Sequence, residues 1–307
     1  MGVMTTAQFA KLMWPGLNKI FGDNYKQYPP EYTSLYDVSS SKKAYEEDQG
    51  VSSLGLFKEK SEGASIEFDQ MSQTFTMRYV NKTFTSGFVV TQELIEDNQY
   101  DLSIVGNSQA AGLGRMARLT REYIGANLYN RAFDSTLVYG DGYQMIGSAQ
   151  PTKTGRTFSN QLTIAADLSE LALEQALIDI AGFTDDRGNI IAVRGMSLHL
   201  AKENKFEIKR ILESTGQVDT ANNTLNALKE LGEFPGGVHI NHFFTDPDAW
   251  FIRTDIAKNT GLRWFDRVGT EFAMDNDFHT TNALYRARFR CSAGITDKRA
   301  IYGSPGA

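Results

Sequence analysis

Between Asp101 and Phe133 apolar and small side chains recur every three or four residues, whereas the segment upstream alternates residue by residue. Leu113, Met116, Ala117, Thr120, Ile124, Asn127, Leu128 and Arg131 mark that spacing, which predicts one long amphipathic helix. It is expected to stop at the Gly-rich turn Tyr139-Gly140-Asp141-Gly142, with a loop running on to about Asn160.

Upstream, from Ser65, the segments IEFD, TFTMRYVNKTF and GFVV are rich in β-branched and aromatic residues, and Phe75, Met77 and Tyr79 take every second position. A long hairpin is expected there. Glu67, Asp69, Arg78 and Lys82 are interleaved, which suits a two-stranded projection in solvent better than a core strand. A lone hairpin is marginal in water, so Phe75, Met77 and Tyr79 are expected to find cover on another subunit. The first 60 or so residues are broken by Trp14-Pro15-Gly16, Phe21-Gly22-Asp23, Tyr28-Pro29-Pro30 and the polar run Ser39 to Gln49. So punctuated a stretch reads as an arm that orders against a neighbour.

Downstream, Asp167 stands three residues before Glu170 in a capping-box arrangement, and Leu173, Leu177 and Ile180 follow before Gly182, which predicts a second helix. A turn at Asp185-Asp186-Arg187-Gly188-Asn189, a strand around Ile190 to Val193 and a helix around Lys202 to Glu213 come next. A polar stretch to Leu231 then leads to a strand-rich portion containing AWFIRTD. In LYRARFRC, Tyr285, Ala287, Phe289 and Cys291 face one way and Arg286, Arg288 and Arg290 the other, as in a half-exposed strand. Strands, a helix, mixed elements and strands again make an α+β protein without solenoid repeats.

Length and composition narrow the function classes. The 307 residues, 41% hydrophobic and 22% charged, are enough for a sizeable core and about two domains. No apolar run approaches the roughly 18 residues needed to cross a bilayer, and the opening MGVMTTAQFAKLMWPGLNKIF carries no secretory pattern. Cytoplasmic synthesis and no membrane partner are therefore expected, in keeping with a lone Cys291 that has no disulfide partner within the chain. The net charge of -6 argues against tight nucleic-acid binding, which relies on a basic excess.

Few motifs carry chemistry. Gly112-Leu113-Gly114-Arg115-Met116-Ala117 fits a dinucleotide-binding pattern, but the preceding Asn107-Ser108-Gln109-Ala110-Ala111 is not the buried strand such a motif requires. His239 and His242, with Asp246 and Asp248 nearby, are metal-ligand types, yet residues three apart on a strand point to opposite faces. No nucleophile elbow, Walker loop, zincin helix or paired-cysteine motif is present, so no catalytic, cofactor-binding or metal site is expected. Three readings apply to the stripe Arg286, Arg288, Arg290: a solvated strand face, a subunit salt-bridge surface, or a DNA contact.

The segments TREYIGANLYNRAF, YGDGYQMIGSAQP and TFSNQL with DLSELALEQALIDIAGFTDDRGNII resemble the central region of tailed-phage major capsid proteins of the HK97-like type. LHLAKENKFEIKRILES, DPDAWFIRTD, GLRWFDR and DFHTTNALYRARFRCSAGITDKRAIYG follow in the same order and spacing, and LMWPGLNKIFGDNY with NKTFTSGFVVTQELIEDN resembles the opening of Mu-type head subunits.

The resemblance implies an N-terminal arm at 1–54, an extended loop at 55–88, a peripheral domain at 89–165 and 263–295 with its spine helix at about 101–133, and an axial domain at 166–262 and 296–307. It implies a non-enzymatic shell subunit that builds hexamers and pentamers of itself into an icosahedral head around double-stranded DNA. No sequence-specific DNA binding is implied. A separate scaffolding protein, a portal and a decoration protein are the further partners, and assembly is placed in the host bacterial cytoplasm. Phe75, Met77, Tyr79, Arg286, Arg288 and Arg290 are the expected intersubunit contacts. Some relatives form Lys–Asn crosslinks; Lys58, Lys60 and Lys82 lie near the loop, but no partner or catalytic acid is fixed, and no crosslink is expected. An encapsulin-like compartment shares the implied fold and is the nearest alternative; a dinucleotide- or metal-dependent enzyme is the remote one.

Overall fold

The computed structural model describes residues 6–63, 65–91, 93, 102–214, 226–256, 261–277 and 282–307. Helices α1 (Thr6–Tyr25) and α2 (Tyr32–Leu35) lead into strands β1 (Asp37–Ser40), β2 (Tyr45–Val51), β3 (Gln73–Val80) and β4 (Lys82–Val90). The long helix α3 (Leu102–Asn130) is followed by the short pair β5 (Gln150–Pro151) and β6 (Thr157–Phe158), and then by helix α4 (Glu170–Ala181). Strand β7 (Gly195–Ala201), helices α5 (Lys205–Glu213) and α6 (Ala227–Leu231), and strands β8 (Val238–Asn241), β9 (Trp250–Thr254), β10 (Leu262–Asn276), β11 (Ala283–Ile295) and β12 (Ile301–Ser304) complete the chain. The α+β class is the one expected.

Two four-stranded sheets organise these elements, in the orders β1-β10-β11-β4 and β12-β9-β7-β8. The first lies under α3, whose 29 residues span roughly 44 Å at 1.5 Å each. Strand β11 shows why: Tyr285, Ala287, Phe289 and Cys291 are all buried, while Arg286 on the opposite face is exposed. Phe289 and Cys291 share a cluster with Ala126 and Tyr129 of α3 and Trp264 of β10. The second sheet packs α4 and α5 around Leu173, Ile180, Leu198, Ile208, Trp250 and Ile252. Lys298, itself buried, links the 139–150 loop to the end of the chain by donating to Asp141 Oδ1 (2.7 Å), the Tyr143 carbonyl (2.8 Å) and Gln150 Oε1 (3.0 Å).

Among the described residues, the stretch expected to order against a neighbour packs from Leu17 to Tyr36 on its own subunit. Leu17, Ile20, Phe21 and Tyr25 fall on one stripe of α1, which lies across α3 and β10 of its own subunit. Phe21 stacks on Phe272 with ring centroids 4.8 Å apart, and Leu17 is buried with Tyr285 and Val90. Pro15 sits inside this helix, where it costs a backbone bond; burial of Leu17 and Phe21, worth roughly 1.5–3 kcal/mol each, offsets that loss. Further on, Tyr32, Leu35 and Tyr36 belong to the main core, and the Glu122 carboxylate caps α2 by accepting from the backbone N–H groups of Glu31 (3.2 Å) and Tyr32 (2.8 Å).

Three local expectations are corrected in the same way. Helix α4 is capped by Ser169, whose hydroxyl accepts from the Ala172 N–H at 3.2 Å, while Asp167 instead accepts from the Ala307 N–H at 2.8 Å. Residues Ile190 to Val193 make a single bridge to Thr184 and no strand; Ala192 has φ 50°, and the strand begins at Gly195. The third concerns the hairpin. Strand β4 pairs antiparallel with β11, and β3 finds its partner in β2, so the two strands expected to form one hairpin belong to different sheets.

Gly114 has a packing role. A Cβ there would stand 2.6 Å from the Phe21 carbonyl oxygen on the backbone of α1, so the two helices cross in contact. Gly112, one turn face away, has nothing within 4 Å. Helix propensity alone makes Gly→Ala stabilising by up to about 1 kcal/mol. Gly112→Ala should follow propensity, whereas Gly114→Ala should destabilise by about 1–3 kcal/mol because backbone has to move. Denaturant midpoints of the two variants check the opposite signs.

Candidate intersubunit surfaces

A neck and a loop make the most exposed apolar feature among the described residues. Strands β2 and β3 pair from Tyr45↔Val80 to Val51↔Gln73, and Ser52 and Ser72 close the ladder with a backbone bond of 2.8 Å and a hydroxyl pair at 3.0 Å. Beyond them the described residues make no strand pairing, and Leu56, Phe57, Ile66, Phe68 and Met71 stand open to solvent, Phe57 at 99% and Phe68 at 93%. An unpartnered set of large apolar side chains on one projection marks an interaction surface. The sequence signal was weak: Ile66 and Phe68 alternate with Glu67 and Asp69, while Leu56 and Phe57 sit next to the charged run 58–62.

The six residues expected at intersubunit contacts divide differently. Tyr79 is buried within its own subunit, its ring 5.1 Å from that of Phe265 in a T-shaped arrangement and its hydroxyl 2.5 Å from Thr296 Oγ1. Met77 lies half-buried over Gly294, and Phe75 is half-buried under the Lys153 ammonium at 5.4 Å from the ring centroid. Their shared face therefore points to the subunit's own body, which corrects the expectation that another copy covers Tyr79. Arg286 is exposed; Arg288 pairs with Glu271 at 3.0 Å and Arg290 donates to the Asn81 carbonyl at 3.4 Å.

The root of the neck is polar and specific. Asn81, the single residue between β3 and β4, is buried; its amide donates to Ser41 Oγ (3.0 Å) and accepts from Ser292 Oγ (3.1 Å). Arg263 on β10 reaches Asp48 on β2 at 2.8 Å. At the turn expected to end α3, a Cβ on Gly140 would overlap the Thr76 carbonyl oxygen, so the turn abuts β3 directly. A cleft of about 480 Å³ lies beside the neck, lined on its far side by Asp185, Ile191 and Arg299.

The loop also touches the 185–189 turn. Arg187 donates through both terminal nitrogens to Asp69 (2.7 and 3.0 Å) and through Nη2 to the Gln70 carbonyl (2.8 Å), while Asp69 also accepts from the Gly55 N–H at 2.7 Å. Chiefly the Gly55 hydrogen bond, then that of Arg187, holds the Asp69 carboxyl down at about 2. Ser53 donates to Asp185. Slight burial works to raise the Asp185 carboxyl, but bonds from Ser53, Asn189 and Arg187 outweigh it and hold it at about 2.

The motifs with enzyme-like spacing are placed where that chemistry has no geometry. Gly112-Leu113-Gly114 lies inside α3, away from a helix start. The His239 ring stacks on His199 at 5.0 Å and its Nε2 lies 3.1 Å from the Gly236 carbonyl, while His242 Nδ1 lies 2.6 Å from Glu31 on the other side. Among the described residues no group of three or more His, Cys, Asp or Glu is placed to hold a metal. Cys291 is buried, and that burial pushes its thiol up to about 12. No described helix is long and apolar enough to cross a membrane.

Comparison with known proteins agrees with this geometry. No curated protein matches the sequence. Among solved structures, a virus-like particle from Pyrococcus furiosus superposes with a TM-score of 0.53 at 13% identity, covering 94% of this chain and 98% of that one. The procapsid of bacteriophage JBD30 gives 0.52 at 16% identity, over 98% of this chain and 76% of that one, and Mycobacterium phage Adephagia gives 0.53 at 12% identity, over 91% of each. At such identities the likeness establishes a shared fold, the HK97-like capsid fold implied by the sequence resemblance. A family model described as phage capsid protein matches residues 74–304, most of the chain from β3 to β12, and the chain therefore belongs to the phage capsid protein family, a family of structural shell subunits.

Proposed function

We propose that the chain is the major subunit of a tailed-phage head, which assembles through hexamers and pentamers into an icosahedral shell around double-stranded DNA. The observation that carries this reading is the loop of residues 52–72, which bears Leu56, Phe57, Ile66 and Phe68 uncovered on a two-stranded neck. A monomer gains nothing from holding such residues in water, whereas a neighbouring copy that covers them gains roughly 1.5–3 kcal/mol for each before ordering costs. Many modest contacts of this kind suffice for a shell, because each added subunit meets several partners at high effective concentration.

In this reading α3 with the β1-β10-β11-β4 sheet is the peripheral domain and the β12-β9-β7-β8 sheet with α4 and α5 is the axial domain at capsomer centres. Arg286, exposed and without an intrachain ion pair among the described residues, is the member of the arginine stripe best placed for a charge contact between copies. The net charge of -6 suits a wall along which packaged DNA slides. A scaffolding protein, a portal and a decoration protein complete the particle, which forms in the host bacterial cytoplasm.

Light scattering and negative-stain microscopy of the purified protein, alone and with a co-expressed scaffolding protein, should show capsomer rings or closed shells. A monomer under every salt and scaffold condition sinks the reading. Shells that enclose protein cargo, in a locus lacking portal and terminase genes, would instead establish an encapsulin-like compartment.

A further inference from the structure

We propose that the contact of Arg187 with Asp69 and Gln70 is an intramolecular latch, which holds the 52–72 loop against its own subunit until another copy takes up the loop's apolar side chains. The proposal rests on the reading of the chain as a shell subunit and adds a control step to it.

The receiving side is built without the loop. Asp185 Oδ1 accepts from the backbone N–H groups of Arg187 and Asn189, both at 2.8 Å, and Oδ2 from Asn189 Nδ2 at 3.0 Å. The backbone bonds Asp185 N–H to Asn189 O (2.8 Å) and Gly188 N–H to Asp185 O (3.1 Å) close the same turn. Gly188 takes φ +93°, a conformation that side chains disfavour. The turn therefore presents Arg187 in a fixed direction.

The loop side converges on one carboxylate. Asp69 binds the Arg187 guanidinium in a bidentate fork and the Gly55 N–H at the same time, so it joins the outgoing limb, the returning limb and the axial turn. Ser53 adds a second tie to Asp185. Every contact described between the loop and this turn is polar, and the Arg187 and Asp69 side chains keep 31% and 45% of their exposure, so water can replace each bond at little cost.

The apolar side chains give the opposite balance. Phe57 and Phe68 gain nothing from the latched position, being almost fully exposed in it. Two arrangements of one loop then compete: a latched one held by exchangeable polar bonds, and an engaged one held by apolar burial on a second copy. Whatever stabilises the first subtracts from the second by the same free energy. The latch thus raises the subunit concentration at which shells nucleate, and it keeps the loop from pairing wrongly before capsomers form.

The full-length chain with Arg187→Ala tests this, with Arg187→Lys as an intermediate that keeps the charge and loses the fork. Hydrogen exchange on the unassembled subunit should show residues 53–70 exchanging faster in Arg187→Ala at an unchanged melting temperature. The threshold concentration for assembly, read by light scattering, should fall about two- to fivefold, the span of an exposed ion pair's contribution, with Arg187→Lys in between. A raised threshold with a normally folded subunit would place Arg187 in a contact between copies and overturn the latch. Unchanged exchange in the loop would overturn it as well. If the wild-type chain assembles under no condition, the shell reading fails, and the exchange comparison still decides whether the latch exists.

Discussion

Replacing residues 54–70 by a linker of about four Gly/Ser residues should leave a subunit that melts cooperatively but no longer closes shells, whereas removing residues 56–88 should prevent folding. The neck explains the first result: Ser52 and Ser72 already join the two strands, and the excised Leu56, Phe57, Ile66 and Phe68 are all exposed, so the subunit loses little apolar burial with them. The cut removes the polar tie of Asp69 and Gln70 to Arg187, worth about 0–1 kcal/mol, and spares that of Ser53 to Asp185, so the melting temperature should move by no more than about 4 °C. The longer cut takes Tyr79 out of the core and removes all of β4 up to Phe88, including Phe84 and Phe88, which stack on Phe289 (5.2 Å) and Tyr285 (4.8 Å) of β11. A buried aromatic such as Tyr79 costs about 3–5 kcal/mol when truncated, and loss of the half-buried Phe84 and Phe88 with the whole β4–β11 ladder adds enough to match the stability of an ordinary domain. Calorimetry and light scattering on the two deletions decide this. Normal particles from the 54–70 variant would show that the loop has no part in assembly, and a molten 54–70 variant would show that it belongs to the fold.

The boundary between these two deletions marks where the sequence could be read and where it could not. Alternation told which way β11 faces, and the three-to-four spacing found α3 within a few residues of its ends, because both signals come from burial on one side of a regular element. Pairing was not legible. TFTMRYVNKTF reads as one continuous hairpin limb, yet Asn81 passes the chain from one sheet to another, and what holds Asn81 comes from Ser41 and Ser292, 40 residues before it and 211 after. Local pattern carries no information about such partners. The same limit applies to the N-terminal segment, where Pro15, Gly16 and Gly22 read as breakers although Leu17 and Phe21 supply a helix with a tertiary surface that overrides propensity. In the loop segment alternation points to Phe75, Met77 and Tyr79 as the face offered to another copy, whereas Tyr79 is buried and Phe75 and Met77 are half-buried on the subunit's own body. Phe75, Met77 and Tyr79 alternate cleanly because they pack on the subunit's own body, and the exposed apolar residues of the loop, Leu56 and Phe57 among them, lack periodicity for the same physical reason: no strand pairing among the described residues imposes one.

His199 should make the unassembled subunit lose stability on mild acidification, and His199→Gln should remove much of that loss. The ring is fully buried on β7, with Nε2 2.9 Å from Ser197 Oγ and no hydrogen-bond partner at Nδ1. From β8 it is stacked by His239 at 5.0 Å, from β9 the Arg253 guanidinium acts on it, and from α3 Tyr129 presents its ring at 6.3 Å. Burial first, then the positive charge of Arg253 and the neighbouring His239, holds the imidazole well below its ordinary 6.5. Above pH 6.5 the ring is neutral whether the chain is folded or not, and it adds no pH dependence. As the pH falls below 6.5 the unfolded chain takes up a proton that the folded chain refuses, so stability drops by as much as about 1.4 kcal/mol per pH unit. Carboxylates contribute mainly at lower pH, which leaves the interval between about 6.5 and 5 as the window in which this ring can be read. Denaturant midpoints across that interval should slope downward in the wild type and lie nearly flat in His199→Gln, whatever the variant's stability at neutral pH. Equal slopes in the two proteins would mean that the folded state accommodates the proton, through a shift of His239 or Arg253 that opens the strand pair to water.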